Sequence, residues 1–154
     1  MPYKQGLLPA FWMVNANRVW PPEIDVMEAP SHKGEVIQTT VHWPSATGGD
    51  AGSACEHLIP GYSNAFHQYG VLWTAERVVW YIDRVPVAQI LTPAAMNQPM
   101  YMQLNLAVGG TWIGMVKDAS VTLPADMVID NVVAYSVNGT TGCAKDSLGV
   151  NVCQ

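Results

Sequence analysis

Pro22-Glu23-Ile24-Asp25-Val26-Met27-Glu28-Ala29 places three carboxylates within six positions of an apolar segment, in a chain with only 12% charged residues. On a β-strand alternate residues share a face, so Glu23 and Asp25 point to one side while Glu28 would point to the other. A β-bulge near Val26-Met27, which inserts one extra residue, would return Glu28 to the face of the first two acids. The segment therefore predicts a bulged strand whose three acids line one groove.

Crowded carboxylates suit the cleavage of glycosidic bonds. Like charges on a half-dry surface repel, so one carboxyl group keeps its proton with a raised pKa. A protonated acid can then donate to the departing oxygen while an ionised carboxylate attacks, and a separation of about 5–5.5 Å gives net retention through a covalent intermediate. A solvated acidic strand face and a divalent-cation site are the alternatives, although three oxygens fall short of the roughly six to eight that calcium takes.

Several ordered segments carry a resemblance to a known family. The first two are Gly6-Leu7-Leu8-Pro9-Ala10-Phe11-Trp12-Met13 and Trp20-Pro21-Pro22-Glu23-Ile24-Asp25-Val26-Met27-Glu28. The others are Thr40-Val41-His42-Trp43, Phe66-His67-Gln68-Tyr69 with Trp73, Trp80-Tyr81-Ile82-Asp83, Gln98-Pro99-Met100-Tyr101, Leu104-Asn105-Leu106-Ala107-Val108-Gly109-Gly110 and Val128-Ile129-Asp130-Asn131-Val132. Together they resemble glycoside hydrolase family 16, which holds laminarinases, lichenases, agarases and related β-glycanases. The Glu-x-Asp-x-x-Glu of the second segment matches the bulged form of the family signature.

The resemblance implies an all-β fold, a jelly-roll (concanavalin-like) β-sandwich. Residues 1–136 would form a partial catalytic domain and residues 137–154 a C-terminal tail. Tyr3-Lys4-Gln5-Gly6 resembles what the family places just before its Pro-Ala-Phe-Trp strand, so the chain is expected to lack the N-terminal strands. Unpaired sheet edges and an uncovered apolar face should then make the isolated chain self-associate.

The resemblance also assigns roles to the acids. Glu23 would be the nucleophile, Glu28 the acid and then the base, and Asp25 the neighbour that hydrogen-bonds Glu23. The implied activity is retaining endo-hydrolysis of a β-linked glucan with β-1,3 or mixed β-1,3-1,4 linkages. A glycan-binding module without turnover, a transglycosylase, and an agarase- or carrageenase-type enzyme are the alternatives.

Sugar rings present apolar C–H faces and hydroxyl edges, so a glycan groove needs aromatic rings beside polar groups. The candidate substrate-binding residues are Trp12, Trp20, His42, Gln103, Asn105 and Trp112. A purely structural role is the alternative for His42. Trp73 and Trp80 lie in segments dense in apolar residues and are expected to fill the core.

Composition limits the partners. A net charge of −5 and a pI near 5.1 argue against nucleic acid, which clustered Lys and Arg bind, and fit a neutral polysaccharide. No apolar run has the roughly 18 residues of a membrane span, and Met1-Pro2-Tyr3 does not resemble a signal peptide, whereas the resemblance implies a secreted protein. No cofactor is required. A structural calcium remains open, because Asp130 matches a last-strand Asp that contributes to such a site in many family members.

Periodicity and turn signals predict the remaining elements. Pro44 to Ser63, rich in Gly, Ser and Ala, predicts a long surface loop, and Cys143 and Cys153 are close enough to form a disulfide. The other predicted strands cover Gly6 to Val14, Glu35 to Trp43, Phe66 to Trp73, Arg77 to Asp83, Tyr101 to Val108 and Met127 to Tyr135, with one helical turn at Thr92 to Met96.

Overall fold

A computed structural model describes residues 1–116 and 124–137, together with two short strands at 144–145 and 151–152. These residues contain ten strands, with a short 3-10 helix at Ser31–Lys33 and another at Ala94–Met96. The strands are β1 Leu7–Asn15, β2 Glu23–Glu28, β3 Val36–Pro44, β4 Asp50–Leu58, β5 Tyr69–Trp73, β6 Arg77–Ile82, β7 Val85–Leu91, β8 Met100–Val108, β9 Ala144–Lys145 and β10 Asn151–Val152.

Two antiparallel sheets form the body of the described chain. One has five strands in the order β4-β3-β2-β1-β8, and the other has three in the order β5-β6-β7. Apolar side chains of β2 and β3 meet those of β6 between the sheets, and Ile24, Val41 and Val78 are completely buried there. Burying each such side chain stabilises the fold by about 1.5–3 kcal/mol. The predicted all-β jelly-roll sandwich is confirmed.

The predicted bulge in β2 is present. Asp25 pairs with Thr40 and Glu28 pairs with Gln38, so three steps along β2 correspond to two along β3. The extra residue interrupts the alternation of faces. As a result two consecutive residues, Val26 and Met27, are buried, and Glu28 is returned to the side of the other acids.

The predicted loop from Pro44 to Ser63 is wrong. Its central part, Asp50–Leu58, is β4, which pairs with β3 along its whole length. Most of its residues are exposed or half-buried, because β4 is an edge strand that contributes little to the core. Backbone pairing with β3 therefore creates this strand, and a search for apolar alternation overlooks it.

The predicted last strand, Met127 to Tyr135, is also wrong. The described residues 124–137 have no regular secondary structure, and Val128, Val133 and Tyr135 are largely exposed. A β-strand needs a hydrogen-bonded neighbour, and this segment pairs with no strand of the described chain. The predicted Cys143–Cys153 disulfide lies outside the described residues.

Two further expectations stay predictions. The division at residue 136 is untested, and so is self-association, for which exposed Met102 and Val108 on edge strand β8 are relevant. Within the described ranges, no helix has the length and hydrophobicity needed to cross a membrane.

Candidate active site

The three acids of β2 lie on the face of the five-stranded sheet that points away from the smaller sheet. The backbone of β2 is fixed from the core side, where the indole Nε1 of Trp80 donates a 2.9 Å hydrogen bond to the carbonyl oxygen of Asp25. Trp80 is 2% exposed, which confirms its predicted place in the core. It also satisfies a backbone acceptor at the residue where the bulge begins.

The acids separate two neighbouring cavities. One of about 400 Å³ extends over β3 and β4, and another of about 190 Å³ extends over β1 and β8. Glu23, Asp25 and Glu28 line both. A chain-like ligand that filled the two cavities would therefore cross β2 directly above the carboxylates.

Burial sets the protonation of two of the acids. Asp25 is 3% exposed, and burial raises its pKa to about 9, with the charges of Glu28 and Glu23 adding to the effect. Burial also raises the pKa of Glu28 to about 7, and the charge of Glu23 acts in the same direction. Near neutral pH Asp25 therefore holds a proton, and Glu28 can hold or release one.

Glu23 has partners that favour its ionised form. Burial keeps the pKa of Glu23 above its usual value, and the charge of His42 and hydrogen bonds with Asp25 and Trp20 reduce that rise. The indole Nε1 of Trp20 donates to Glu23 Oε2 at 3.1 Å. Because the same Asp25–Glu23 hydrogen bond raises the pKa of Asp25, Asp25 is its donor.

His42 lies in the wall of the larger cavity and is held from two sides. Its Nδ1 is 2.9 Å from Asp50 Oδ2, and its Nε2 is 3.8 Å from Asp25 Oδ2. The rings of Trp20 and His42 lie 5.7 Å apart. Gly52 on β4 leaves room for this ring, because a Cβ there would lie 3.3 Å from His42 Nδ1.

A second group of polar side chains surrounds Glu28. Thr40 Oγ1 donates to Glu28 Oε2 at 3.5 Å, and Gln38 Nε2 donates to Thr40 Oγ1 at 3.2 Å. Lys33 Nζ donates to Gln38 Oε1 at 2.7 Å and lies 5.5 Å from the centre of the Trp112 ring. Trp112 thus closes the larger cavity on the side of the 3-10 helix.

The smaller cavity contains two more of the predicted binding residues. Trp12 Nε1 donates a 2.7 Å hydrogen bond to Asn105 Oδ1, which fixes the indole above the junction of β1 and β8. Gln103 pairs with Trp12 in the sheet, but its side chain lines neither cavity. The structure therefore brings Trp12, Trp20, His42, Asn105 and Trp112 to the acids and leaves Gln103 aside.

Some cavity residues were not singled out from the sequence. The floor of the larger cavity includes Gly52, Ser53 and Ala54, which belong to the strand that was read as a loop. Lys33 ends a 3-10 helix after which Gly34 adopts a φ of 74°. A lone lysine before a glycine carries no signal of its own, whereas the alternation along β3 puts Gln38 and Thr40 on the same face as His42.

The cation alternative fits poorly. Within the described ranges, Glu23, Asp25 and His42 bring one donor atom each within 4.8 Å of one another. Two carboxyl groups and an imidazole offer too few oxygens for calcium. Asp130 is exposed and belongs to no group of three donors in the described part of the chain, and a structural calcium at Asp130 stays a prediction.

Comparison with known proteins agrees with the geometry. A family model described as Glycosyl hydrolases family 16 matches residues 1–124. An endo-1,3-1,4-beta-glycanase of Rhizobium meliloti (strain 1021) is 41% identical over 138 residues, which is 90% of this chain and 29% of that protein. The chain spans between 29% and 54% of the length of the first three curated relatives that it matches.

Solved structures of other proteins share the fold, and two examples show how similar they are to this chain. An endo-beta-1,3-glucanase from Pyrococcus furiosus is 33% identical with a TM-score of 0.64, over 80% of this chain and 53% of the other. The laminarinase catalytic domain from Thermotoga maritima MSB8 is 31% identical with a TM-score of 0.65, over 79% of this chain and 55% of the other.

Proposed function

Because this chain belongs to glycosyl hydrolases family 16, we propose that it cleaves internal β-1,3 or mixed β-1,3-1,4 linkages of a glucan with retention at the anomeric carbon. One observation carries the proposal. Three acids with differing proton affinities lie between two cavities on one open sheet face. An open groove lets a polymer bind along its length, which suits attack within the chain.

Glu28 is the proton donor in the first step. Its carboxyl group gives a proton to the glycosidic oxygen as Glu23 attacks the anomeric carbon, so the C–O bond to the departing sugar breaks and an ester to Glu23 forms. A pKa of about 7 allows Glu28 to be protonated for this step at mildly acidic pH. The cavities on both sides of the acids hold the sugars on either side of the broken bond.

Water completes the reaction. Glu28, now ionised, takes a proton from a water molecule whose oxygen attacks the anomeric carbon, and Glu23 departs as a carboxylate. The hydrogen bond from protonated Asp25 stabilises that carboxylate both as nucleophile and as leaving group. Two inversions at the same carbon give net retention.

The substrate is proposed as a neutral polysaccharide. Indole rings of Trp12, Trp20 and Trp112 offer platforms for sugar faces, and Asn105 and His42 offer hydrogen-bonding groups beside them. We also propose secretion, because a polymer cannot reach an enzyme behind a membrane. The chemistry needs no cofactor.

Release of reducing ends from laminarin and from barley mixed-linkage glucan tests the proposal. The native chain should release them, and proton NMR of the fresh product should show the β-anomer first. Glu23→Gln and Glu28→Gln should each lower kcat by more than about 10³-fold. Glu76→Gln is the matched control, because Glu76 is exposed on the turn between β5 and β6.

Three results would contradict the proposal. A Glu23→Gln protein with native turnover would remove the nucleophile assignment. A native chain that is retarded in a laminarin affinity gel yet releases no reducing ends would be a glycan-binding module. Redistribution of chain lengths without net reducing ends would indicate a transglycosylase.

A further inference from the structure

Lys33 has an unusual position among the side chains that surround the acids. It ends the 3-10 helix, lines the larger cavity and is only 27% exposed. Its ammonium group contacts Glu56 Oε1 at 2.6 Å and Gln38 Oε1 at 2.7 Å. The ion pair with Glu56 faces solvent, and such pairs contribute only about 0–1 kcal/mol to stability. The contact with Gln38 leads toward the acids.

Lys33, Gln38 and Thr40 form a hydrogen-bond relay that ends on Glu28. Its three links measure 2.7, 3.2 and 3.5 Å from Lys33 inward. The direction of each link follows from the one before. An ammonium can only donate, so the amide oxygen of Gln38 faces Lys33 and its NH₂ faces Thr40.

The hydroxyl of Thr40 then has one remaining direction for its proton. Because Thr40 Oγ1 accepts from the amide of Gln38, its own hydrogen is free to point at Glu28 Oε2. With the amide reversed, an NH₂ would face an ammonium and two donors would oppose each other. Lys33 therefore decides that a donor, and not a lone pair, faces Glu28.

The geometry points to Lys33 as a positioning residue for Glu28. Acting through the relay, it holds a hydrogen-bond donor against the carboxylate and so favours the ionised form that must accept a proton from water. This inference rests on the proposed function for its meaning in catalysis. The relay itself is a property of the folded chain and can be measured without substrate.

Several other groups act on Glu28. Glu23 and Asp25 lie beside it on β2, and His42 and Thr40 approach from β3. Burial and the charge of Glu23 raise its pKa, while the charge of His42, the hydrogen bond from Thr40 and the more distant charge of Lys33 lower it. On the side of β1 and β8 the smaller cavity is lined by apolar residues, an indole and an amide. The relay thus opposes burial and the charge of Glu23.

Carbon-13 NMR of glutamate carboxyl groups in the full chain tests the inference, with the Glu28 signal identified from its loss in Glu28→Gln. Lys33→Met keeps most of the side-chain stem and removes the donor. We expect this substitution to raise the titration midpoint of Glu28, the pH at which its carboxyl group is half-ionised, by roughly half a pH unit. On the alkaline side of the laminarin profile, where Glu28 must stay protonated, its activity relative to its own maximum should then rise about threefold.

The double variant separates the relay from the bare charge. Gln38→Met breaks the middle link, so adding Lys33→Met to it should raise the Glu28 midpoint by clearly less than Lys33→Met does in the native chain, because only the direct charge of Lys33 is then lost. Glu56→Gln keeps the lysine and removes only its outer partner, so the midpoint should stay at or below the native value. If Lys33→Met does not fold, Gln38→Met and Thr40→Val test the same links.

Three results would overturn the inference. The first is an unchanged titration midpoint of Glu28 in Lys33→Met. The second is a double variant whose shift equals the sum of the two single shifts, which would mean that the lysine acts only by its charge through space. The third is an upward shift in Glu56→Gln equal to that in Lys33→Met. A native chain that cleaves no glucan, yet shows the expected midpoint shifts, would refute the proposed function and leave the relay in place.

Discussion

Replacement of Asp25 by Asn should give the protein a stability advantage over the native chain that grows as the pH rises. The native chain keeps a proton on Asp25 up to a pKa of about 9, whereas the unfolded chain releases it near 3.8. Between these values the unfolded state binds fewer protons, so the stability contributed by Asp25 is complete below pH 3.8 and declines as the pH rises. An amide has no proton to retain, and the variant escapes this decline.

The size of the effect follows from the pH interval. Each pH unit above 3.8 costs the native protein about 1.36 kcal/mol, so at pH 7 the cost reaches about 4 kcal/mol. Between pH 4.5 and pH 7 the free energy of unfolding of Asp25→Asn should therefore gain about 3 kcal/mol on that of the native chain. Because Asp25 is uncharged over this range, a neutral amide leaves the charges around Glu23 and Glu28 unchanged.

Urea unfolding followed by tryptophan fluorescence at several pH values measures the difference. The amide can still donate to Glu23, so the variant should keep the native fold. Asp126→Asn is the control, because Asp126 is exposed. A difference between Asp25→Asn and native protein that stays constant from pH 4.5 to pH 7 would show that Asp25 is ionised in the folded state, and the reasoning would fail.

Two further predictions concern indole nitrogens. Trp80→Phe leaves the carbonyl oxygen of Asp25 without its buried donor and should lower the free energy of unfolding by about 2–3 kcal/mol, measured by urea unfolding. Trp73→Phe is its control, because Trp73 Nε1 is buried without a hydrogen-bond partner in the described chain. Its removal should therefore lower the free energy of unfolding by less, and equal decreases in the two variants would contradict this reasoning. Trp12→Phe keeps a ring but loses the hydrogen bond to Asn105, so KM for laminarin should rise about fivefold with little change in kcat, and a lower kcat at native KM would place Trp12 in the chemical step.

The sequence predicts those parts of the site in which the identity of a residue and the alternation of faces along its strand point to the same position. Three acids in an apolar segment need a bulge to share a face, and the structure contains that bulge between Asp25 and Glu28. The alternation along β3 likewise puts Gln38, Thr40 and His42 on one face, and all three line the larger cavity. In both strands one buried face fixes the register, so the sequence pattern is sufficient to predict which side chains lie on the opposite face.

Other parts depend on contacts that no local pattern records. The edge strand β4 is formed by pairing with β3, and its small polar residues resemble a loop. Residues 127–135 have the composition of a strand but no partner strand in the described chain. Lys33 reaches Glu28 only through two side chains of β3, so its role follows from the fold and not from its neighbours in sequence.

The bulge makes β2 tolerant of one change in length and intolerant of the opposite one. Loss of a single codon between Asp25 and Glu28 would remove the extra residue, and plain alternation would then keep all three carboxylates on one face. Gain of a codon there would instead turn the last carboxylate toward the interior or carry it two positions further along the strand. We expect insertion libraries of this gene to show a sharper fitness minimum between Asp25 and Glu28 than deletion libraries do.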